Sequence, residues 1–538
     1  MKILVILFFS ISFLSGCVGN ETAESESGDE ELGRVGAMED YNVGITFKAT
    51  EPLTFSLLNR DSPSYPINHD WLFFTHLEEL TNVTFDTVDV PMSDFPERRG
   101  VLLAAGEAPL LIPRTEIGDE TPFISSGAVL PVSDYIDYMP HFLDRVERWG
   151  LEDELDGIRQ EDGKFYLLPG LHETLWLDRS IVYRADIFDQ HQIAEPETWN
   201  EVLDAMRQLK QLYPDQYPMS ERFTMNSLLN MAAPTFGVRA GWGLGDGMIF
   251  DRELGEYVFA PATDKYGEFL TFFNQLIEEE LLDPESLTQD DDLAIQKFVS
   301  GQSFMISGSA QELVGYRENM TEVLGAGEFE LNQMMFPGGP EGAVIAGSRL
   351  ESGLLITAEA REREDFIALL QLVDWLYYSD EGQEFSRWGI VGETFVRNEE
   401  GKRELTERYD FMGLNPEGEV DLRLEHGFSN GIFLFGMSSE LLESMMTEEA
   451  LQFHRRLHET REALPIDPPR PMTILEQEEA TMITTSLMDH VSTTTFEFIL
   501  GRRPLTEFPA FVLGLEGMGL PRLLELVNEA YERFNDQH

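Results

Sequence analysis

The sequence predicts an α/β fold in which parallel strands alternate with helices, spread over more than one lobe. Three observations carry this reading. Apolar runs of strand character alternate with helix-periodic segments through the first folded stretch, the pattern of a parallel sheet with crossover helices. Once the N-terminal leader is set aside, roughly 500 residues remain, too many for one hydrophobic core. No unit of about 20–50 residues repeats, which argues against a solenoid or propeller.

The chain opens with Lys2, an almost wholly apolar run from Ile3 to Leu14, and then Ser15-Gly16-Cys17. An apolar run of about twelve residues is too short to cross a hydrocarbon core of ~30 Å and has the form of an export signal. Small residues ahead of a cysteine match the bacterial lipobox, in which Cys17 is lipidated and becomes the mature N-terminus. The alternative is an ordinary cleaved signal that happens to hold a cysteine. Cys17 is the only cysteine in 538 residues, and a thiol consumed by acylation accounts for that count; it also leaves no disulfide within the chain. Residues 1–16 are therefore read as the signal, and 17–50 as the lipidated cysteine and an acidic tether. The low hydrophobicity and one-signed charge of its first half give it too little surface to bury.

Leu53 to Leu58 reads as a buried opening strand, Asn59 to Pro66 as a loop, Trp71 to Leu80 as a helix and Val83 to Val90 as a second strand. Arg98 to Ala105 is a short helix stopped by Gly106, and Pro109 to Ile112 is a third strand. Helical periodicity recurs at Glu201 to Leu212, Tyr266 to Leu281, Asp290 to Gly301, Asp365 to Tyr378 and Leu520 to Phe534, with a short strand at Ser303 to Ser307. Asp and Glu number 98 against 38 Lys and Arg, a formal net charge of −60. That charge argues against nucleic acid, whose binding rests on cations meeting phosphates, and repels an acidic ligand at long range. Acidity together with scarce lysine fits either adaptation to high salt or simply an acidic secreted protein.

Six segments, taken in order, resemble extracellular solute-binding proteins of family 1, the lipoprotein branch that serves ABC sugar importers. They are Gly106-Glu107-Ala108-Pro109, with Leu110 where that family usually has Asp; Asp162 to Pro169; Val182 to Phe188 with Pro196 to Glu201; Phe298 to Met305; Val373 to Gly382; and Phe496 to Gly501. The resemblance implies a two-lobed, periplasmic-binding-protein-like α/β fold that closes on a ligand in the cleft between lobes. Lobe 1 is then expected to comprise 51–168 and 331–388, and lobe 2 to comprise 169–330, completed with the C-terminal helices by 389–538. It also implies a monomeric, extracytoplasmic carrier, lipid-anchored to a bacterial membrane, that hands a saccharide to ABC permease subunits, with no catalytic residue and no cofactor. The readings kept beside it are a secreted glycoside hydrolase or lyase, a binder of peptides or other polar nutrients, and a sensory surface lipoprotein.

Sugar binding calls for aromatic faces and planar polar side chains at strand ends. Candidates are Asn59, Arg60 and Asp61 after the first strand; Arg114 and Glu116 after the third; His172, Glu173 and Trp176 where the chain crosses between lobes; Trp242 in the glycine-rich, mobile loop 241–247; and Arg349 and Glu351 near a second crossing. Trp199, Trp375 and Trp388 are assigned to the core. His454 and His458 stand four apart on a helical face without a third metal ligand nearby, and Asp290 to Asp292 read as an acidic helix start rather than a calcium loop. No metal site is therefore expected.

If Cys17 carries the lipid, Cys17→Ser moves the protein from the membrane fraction to the soluble one, because serine cannot form the thioether. Equal membrane retention of both forms in a fractionation experiment would remove the lipobox reading.

Overall fold

The computed structural model describes residues 32–537, Ser64 excepted. The export signal, Cys17 and the first half of the expected tether lie outside them. Among the described residues two main sheets are built from β1 (Leu53–Asp61), β2 (Val83–Pro91), β3 (Leu111–Thr115), β4 (Leu168–His172), β5 (Ser180–Arg184), β6 (Met305–Gly308), β7 (Leu331–Gln333), β8 (Leu350–Ile356) and β9 (Gly436–Met437). The first sheet has the order β9-β4-β8-β3-β1-β2 and the second β6-β5-β7. Each sheet anchors its own lobe with its own buried cluster, as two cores require.

In lobe 1, β1 pairs in parallel with β2 from Leu53 opposite Val83 to Asp61 opposite Pro91, and meets β3 at Leu57 opposite Leu111. β8 enters antiparallel between β3 and β4. Behind the sheet runs the helix Phe366–Tyr378, whose thirteen residues are all buried, mostly apolar on every face; a helix hydrophobic all round belongs in a core. The strands outlast their apolar patterns: β1 continues three residues beyond Leu58, and β3 reaches Thr115, so Asn59 to Asp61 and Arg114 are strand residues rather than loop residues. Pairing to neighbouring strands carries the ladder past the last apolar side chain.

Two parts of the expected domain plan are corrected. Residues 33–50, expected in the tether, lie as a strap across lobe 1: Phe47 is fully buried, the Val35 N–H donates to the Glu364 carbonyl, and the Met38 backbone N–H and carbonyl both bond the side-chain amide of Gln371. Residues 389–445, expected to complete lobe 2, pack on lobe 1. Phe433 stacks on Phe73 and Phe428 meets the same ring edge-on, Leu441 joins Trp388 and Phe395, and β9 extends the first sheet beside β4. In the opposite direction, β7 belongs to the lobe 2 sheet, so 331–346 stays with lobe 2. Lobe 2 is otherwise mainly helical, its core built on Trp199–Leu212, Asp264–Glu278, Ile474–Ile499 and Leu520–Gln537, with a small antiparallel hairpin of Met248–Asp251 and Glu256–Phe259 packed on it. Trp199, Trp375 and Trp388 are all buried, as expected.

A buried carboxylate gathers the middle of the strap. Asp374 accepts from the Tyr41 hydroxyl (2.8 Å), the His141 and Phe142 backbone N–H groups (3.0 and 2.8 Å) and the His141 ring (2.8 Å). The Gly44 N–H donates to His141 Nε2 (3.0 Å), so the neutral ring carries its proton on Nδ1, facing Asp374. Burial, with the Asp374 charge, pushes the Tyr41 phenol far above its usual range and keeps it a donor.

Tyr41→Phe removes one of these donors and is expected to lower stability by about 1.5–3 kcal/mol, the scale of a hydrogen bond to a charged group. Urea unfolding of the two forms measures it; an unchanged midpoint would mean that the strap is not held through Asp374.

Candidate functional site

The strands of lobe 1 bring five of the candidate residues to one edge of the sheet. β1, β3, β4 and β9 end there and antiparallel β8 begins there, the edge at which open α/β sheets bind ligands. Arg60 is the penultimate residue of β1, Arg114 of β3, His172 the last of β4, Glu351 the second of β8, and Glu116 follows β3 directly. From Leu57 opposite Leu111, three further residues on each strand bring Arg60 level with Arg114.

Arg114 has φ +58°, a left-handed conformation uncommon outside glycine. Its Nε donates to the Gly431 carbonyl and its guanidinium lies 5.4 Å from the centre of the Phe435 ring. Arg60 has no hydrogen-bond or ion-pair partner for its guanidinium among the described residues. Burial and the charge of Arg114 lower its pKa, with Tyr65 and Glu116 opposing. Burial and Asp119 push the Glu116 carboxyl up, while Arg114 and Arg60 draw it back.

Glu351 is committed differently. It accepts from the Gly436 N–H (2.6 Å) and meets His172 Nε2 at 3.1 Å. Desolvation raises its pKa, but the His172 contact, Arg114 and the Gly436 bond outweigh this and hold it below the usual carboxylate range. Behind it Arg387 donates to the Gly436 carbonyl (2.8 Å) with its Nε unpartnered, and burial brings its pKa down to about 9 despite the attraction of Glu351.

The other candidates have separate tasks. Asn59 is fully buried and donates to Asp89 (3.1 Å); Asp61 accepts from the Ile67 N–H (2.8 Å) and shapes the loop after β1. Arg349 lies at a crossing, as expected, but its guanidinium is taken up away from the cleft: it pairs with Glu154 and donates to the Trp149 and Gly150 carbonyls (2.7 and 2.8 Å), capping the helix Pro140–Trp149. Glu173 ties two crossings together, its N–H donating to the Met437 carbonyl (3.1 Å) and its carboxylate accepting from the Ser439 N–H (2.7 Å). Trp176, 36% exposed, stands in the same crossing.

Across the hinge, Arg179 leaves the crossing just ahead of β5 and opens the facing edge of lobe 2. Its guanidinium lies 5.0 Å from the Phe223 ring centre and 5.6 Å from that of Trp242, and it pairs with Glu312 at 2.6 Å. Trp242 is 51% exposed, with its ring 5.0 Å from Phe223. Phe223, Thr224 and Met225 have consecutive positive φ values of 52°, 49° and 66°, strain of the kind that gathers at functional sites. The loop that carries Trp242 is not the open loop expected from its glycines. Gly241–Leu244 is a short turn against the helix Asn226–Ala232, and a Cβ on Gly241 (φ +57°) would lie 2.1 Å from the Asn226 carbonyl oxygen. Glycine serves close packing there, and the tryptophan is held in place.

Beyond Glu116 the edge continues into an interlobe recess of about 780 Å³, walled by Ile117, Gly118 and Arg159 on one side and by Asp246, Arg470 and Thr481 on the other. That is the size of an ordinary ligand pocket. Sequence reasoning missed Arg179 and Phe223: Arg179 was open to inference from its place beside Trp176, whereas backbone strain leaves no local signature. Away from the cleft, His454 Nε2 faces His458 Nε2 at 3.2 Å, and no group of three metal-ligating side chains occurs among the described residues. Asp290 caps its helix through the Leu293 N–H (2.8 Å), and Asp291 accepts from the Phe223 N–H (2.9 Å).

Residues 73–384 match the family model described as bacterial extracellular solute-binding protein. A curated relative, the polygalacturonan/rhamnogalacturonan-binding protein YtcQ of Bacillus subtilis (strain 168), is 24% identical over 258 residues, which span 46% of this chain and 48% of that protein. Among solved structures the chain is similar to the alginate-binding protein AlgQ2 without calcium ion, with TM-score 0.71 and 17% identity over 90% of this chain and 99% of the other. It is also similar to an HMO-binding, ABC-transporter-associated solute-binding protein from Bifidobacterium longum infantis ATCC 15697, with TM-score 0.70 and 15% identity over 90% and 99%. These likenesses show the two-lobed α/β fold.

A carboxylate held below its unfolded pKa contributes stability that is present above about pH 4.3 and lost as pH falls towards its folded value. Glu351→Gln should therefore melt lower than wild type at pH 7 and lose less on acidification from about pH 5 to 3. Parallel melting curves over that range would show that Glu351 has no such role.

Proposed function

We propose, from the premise that this chain belongs to the bacterial extracellular solute-binding proteins, that it captures an oligosaccharide between its lobes and delivers it to an ABC permease. The observation that carries this reading is the pairing of two unlike walls across one hinge. Lobe 1 presents Arg60, Arg114, Glu116 and His172 at strand ends, and lobe 2 presents the Trp242–Phe223–Arg179 cluster. Planar polar groups on one side and an exposed ring on the other suit a ligand with hydroxyls at its edge and C–H groups on its faces. The relatives named above are binding proteins, which supports a carrier without catalysis. The Cys17 lipobox supports anchoring of this carrier on the extracytoplasmic side of a bacterial membrane, with the permease as its partner.

A ligand that touches both walls stabilises the closed arrangement, and its release follows from reopening. Trp242 is the natural stacking platform because it is already fixed by Phe223 and the packed glycine turn.

Titration calorimetry against a panel of plant, algal and host oligosaccharides tests the reading. A binding ligand should be recovered chemically unchanged, and Trp242→Ala should weaken it by about 10- to 100-fold. Cleavage of the ligand during incubation would favour the hydrolase or lyase alternative. Binding of peptides with no saccharide binding would overturn the substrate class.

A further inference from the structure

The charge pattern at the lobe 1 edge carries a narrower statement about the ligand, resting on the oligosaccharide-carrier reading above. The chain has far more carboxylates than cations, 98 against 38, and many of its arginines stand in ion pairs, as Arg179 does with Glu312 and Arg207 with Glu279. Arg60 and Arg114 do not. They lie side by side on adjacent parallel strands at the cleft edge, both partly shielded from solvent, and neither has an ion pair among the described residues. Glu351 is occupied by Gly436 and His172 and lies beside the buried Arg387. Glu116, within electrostatic reach of both arginines, makes no ion pair with either.

Two like charges set together without a contacting counter-charge are unfavourable in a partly desolvated site. The cost disappears when an anion is seated between them, and the guanidinium fork matches a carboxylate in two-point geometry. Arg114 is also pre-oriented by Gly431 and Phe435, so little ordering remains for the ligand to impose. We propose that Arg60 and Arg114 form the seat for a sugar carboxylate, making uronate-containing oligosaccharides the ligand class of this cleft. The acidic surface does not oppose this at contact range. Its repulsion is screened over about 8 Å at physiological ionic strength, whereas the two arginines act at hydrogen-bond distance. What separates a uronate from a small free anion is stacking on the opposite wall, which only a saccharide gains.

The test compares oligogalacturonates of three to six residues, and alginate oligosaccharides of the same length, with their methyl esters by calorimetry on the full folded protein. The acids of at least one series should bind about 30-fold or more tighter than their esters. Arg60→Gln should bring the ratio of acid to ester affinity close to one, whatever it does to the affinity for the ester itself. Arg60→Lys, which keeps the charge and loses the fork, should fall between. Equal affinity for acid and ester, or an Arg60→Gln variant that still prefers the acid by the same factor, overturns the carboxylate seat and leaves the carrier intact. Binding of neutral oligosaccharides alone does the same. Failure of every saccharide, charged or neutral, overturns both readings. Should Arg60→Gln not fold, as judged by its melting curve, the wild-type comparison of acid with ester decides.

Discussion

The antiparallel insertion of β8 between β3 and β4 is the constraint from which the cleft follows. A parallel sheet places all its carboxyl ends at one edge, and only a strand running the other way can bring its own beginning to that edge. β8 does so with Leu350 opposite Leu171 and Gly353 opposite Thr115, and a register shift after Gly353 lets the two partner strands diverge. A side chain on Gly353 would meet the Leu168 carbonyl oxygen at 2.0 Å, so the close approach depends on glycine. Because β8 arrives from lobe 2, the same insertion makes the chain cross the hinge a second time. It also delivers Glu351 to the ends of β3 and β4. The charged edge and the hinge are thus two consequences of one strand pairing.

The electrostatics of the molecule have two scales. At long range the protein is strongly acidic, which keeps it soluble and repels other acidic bodies. At the cleft edge, guanidinium groups gather at strand ends, and the surface charge is screened over about 8 Å of solvent at physiological ionic strength. The whole-chain charge therefore describes how the protein meets its surroundings and says little about what the cleft holds. The sequence-based expectation that an acidic ligand would be repelled addressed only the first scale.

Much of lobe 1 was legible in the sequence because its determinants are local. Leu53 to Leu58, Trp71 to Leu80 and Val83 to Val90 form the predicted elements within a few residues of their expected ends. Arg60, Arg114 and Glu116 are expected at strand ends and His172 and Glu351 at the crossings between lobes; the sheet gathers all five at one edge. What was not legible depends on contacts distant in the chain. Phe428 and Phe433 have the same apolar character whichever lobe they serve; it is their packing against Phe73, with the pairing of β9 to β4, that assigns residues 389–445 to lobe 1. Phe47 is a lone apolar residue in a polar stretch, and nothing local announces that it fills a core position. Arg349 carries the expected charge at the expected crossing, yet the free carbonyls at the end of Pro140–Trp149 claim its guanidinium.

On the carrier reading proposed above, the hinge accounts for closure that preserves the geometry of the two walls. Glu173 joins the first crossing to the third through the Met437 carbonyl and the Ser439 N–H, and Thr174 meets the Ser439 hydroxyl at 3.2 Å. Leu175, one residue further, is already buried in the lobe 2 core. The covalent joint between rigid bodies is therefore only a few residues long and is braced across strands. Rotation about so short a joint moves the lobes as units, because the groups that line the cleft are fixed within each lobe: Arg114 by Gly431, Glu351 by Gly436, Trp242 by Phe223 and its glycine turn. On that reading a ligand has only the relative placement of two prepared walls to determine, and its contacts to both would set the balance between open and closed.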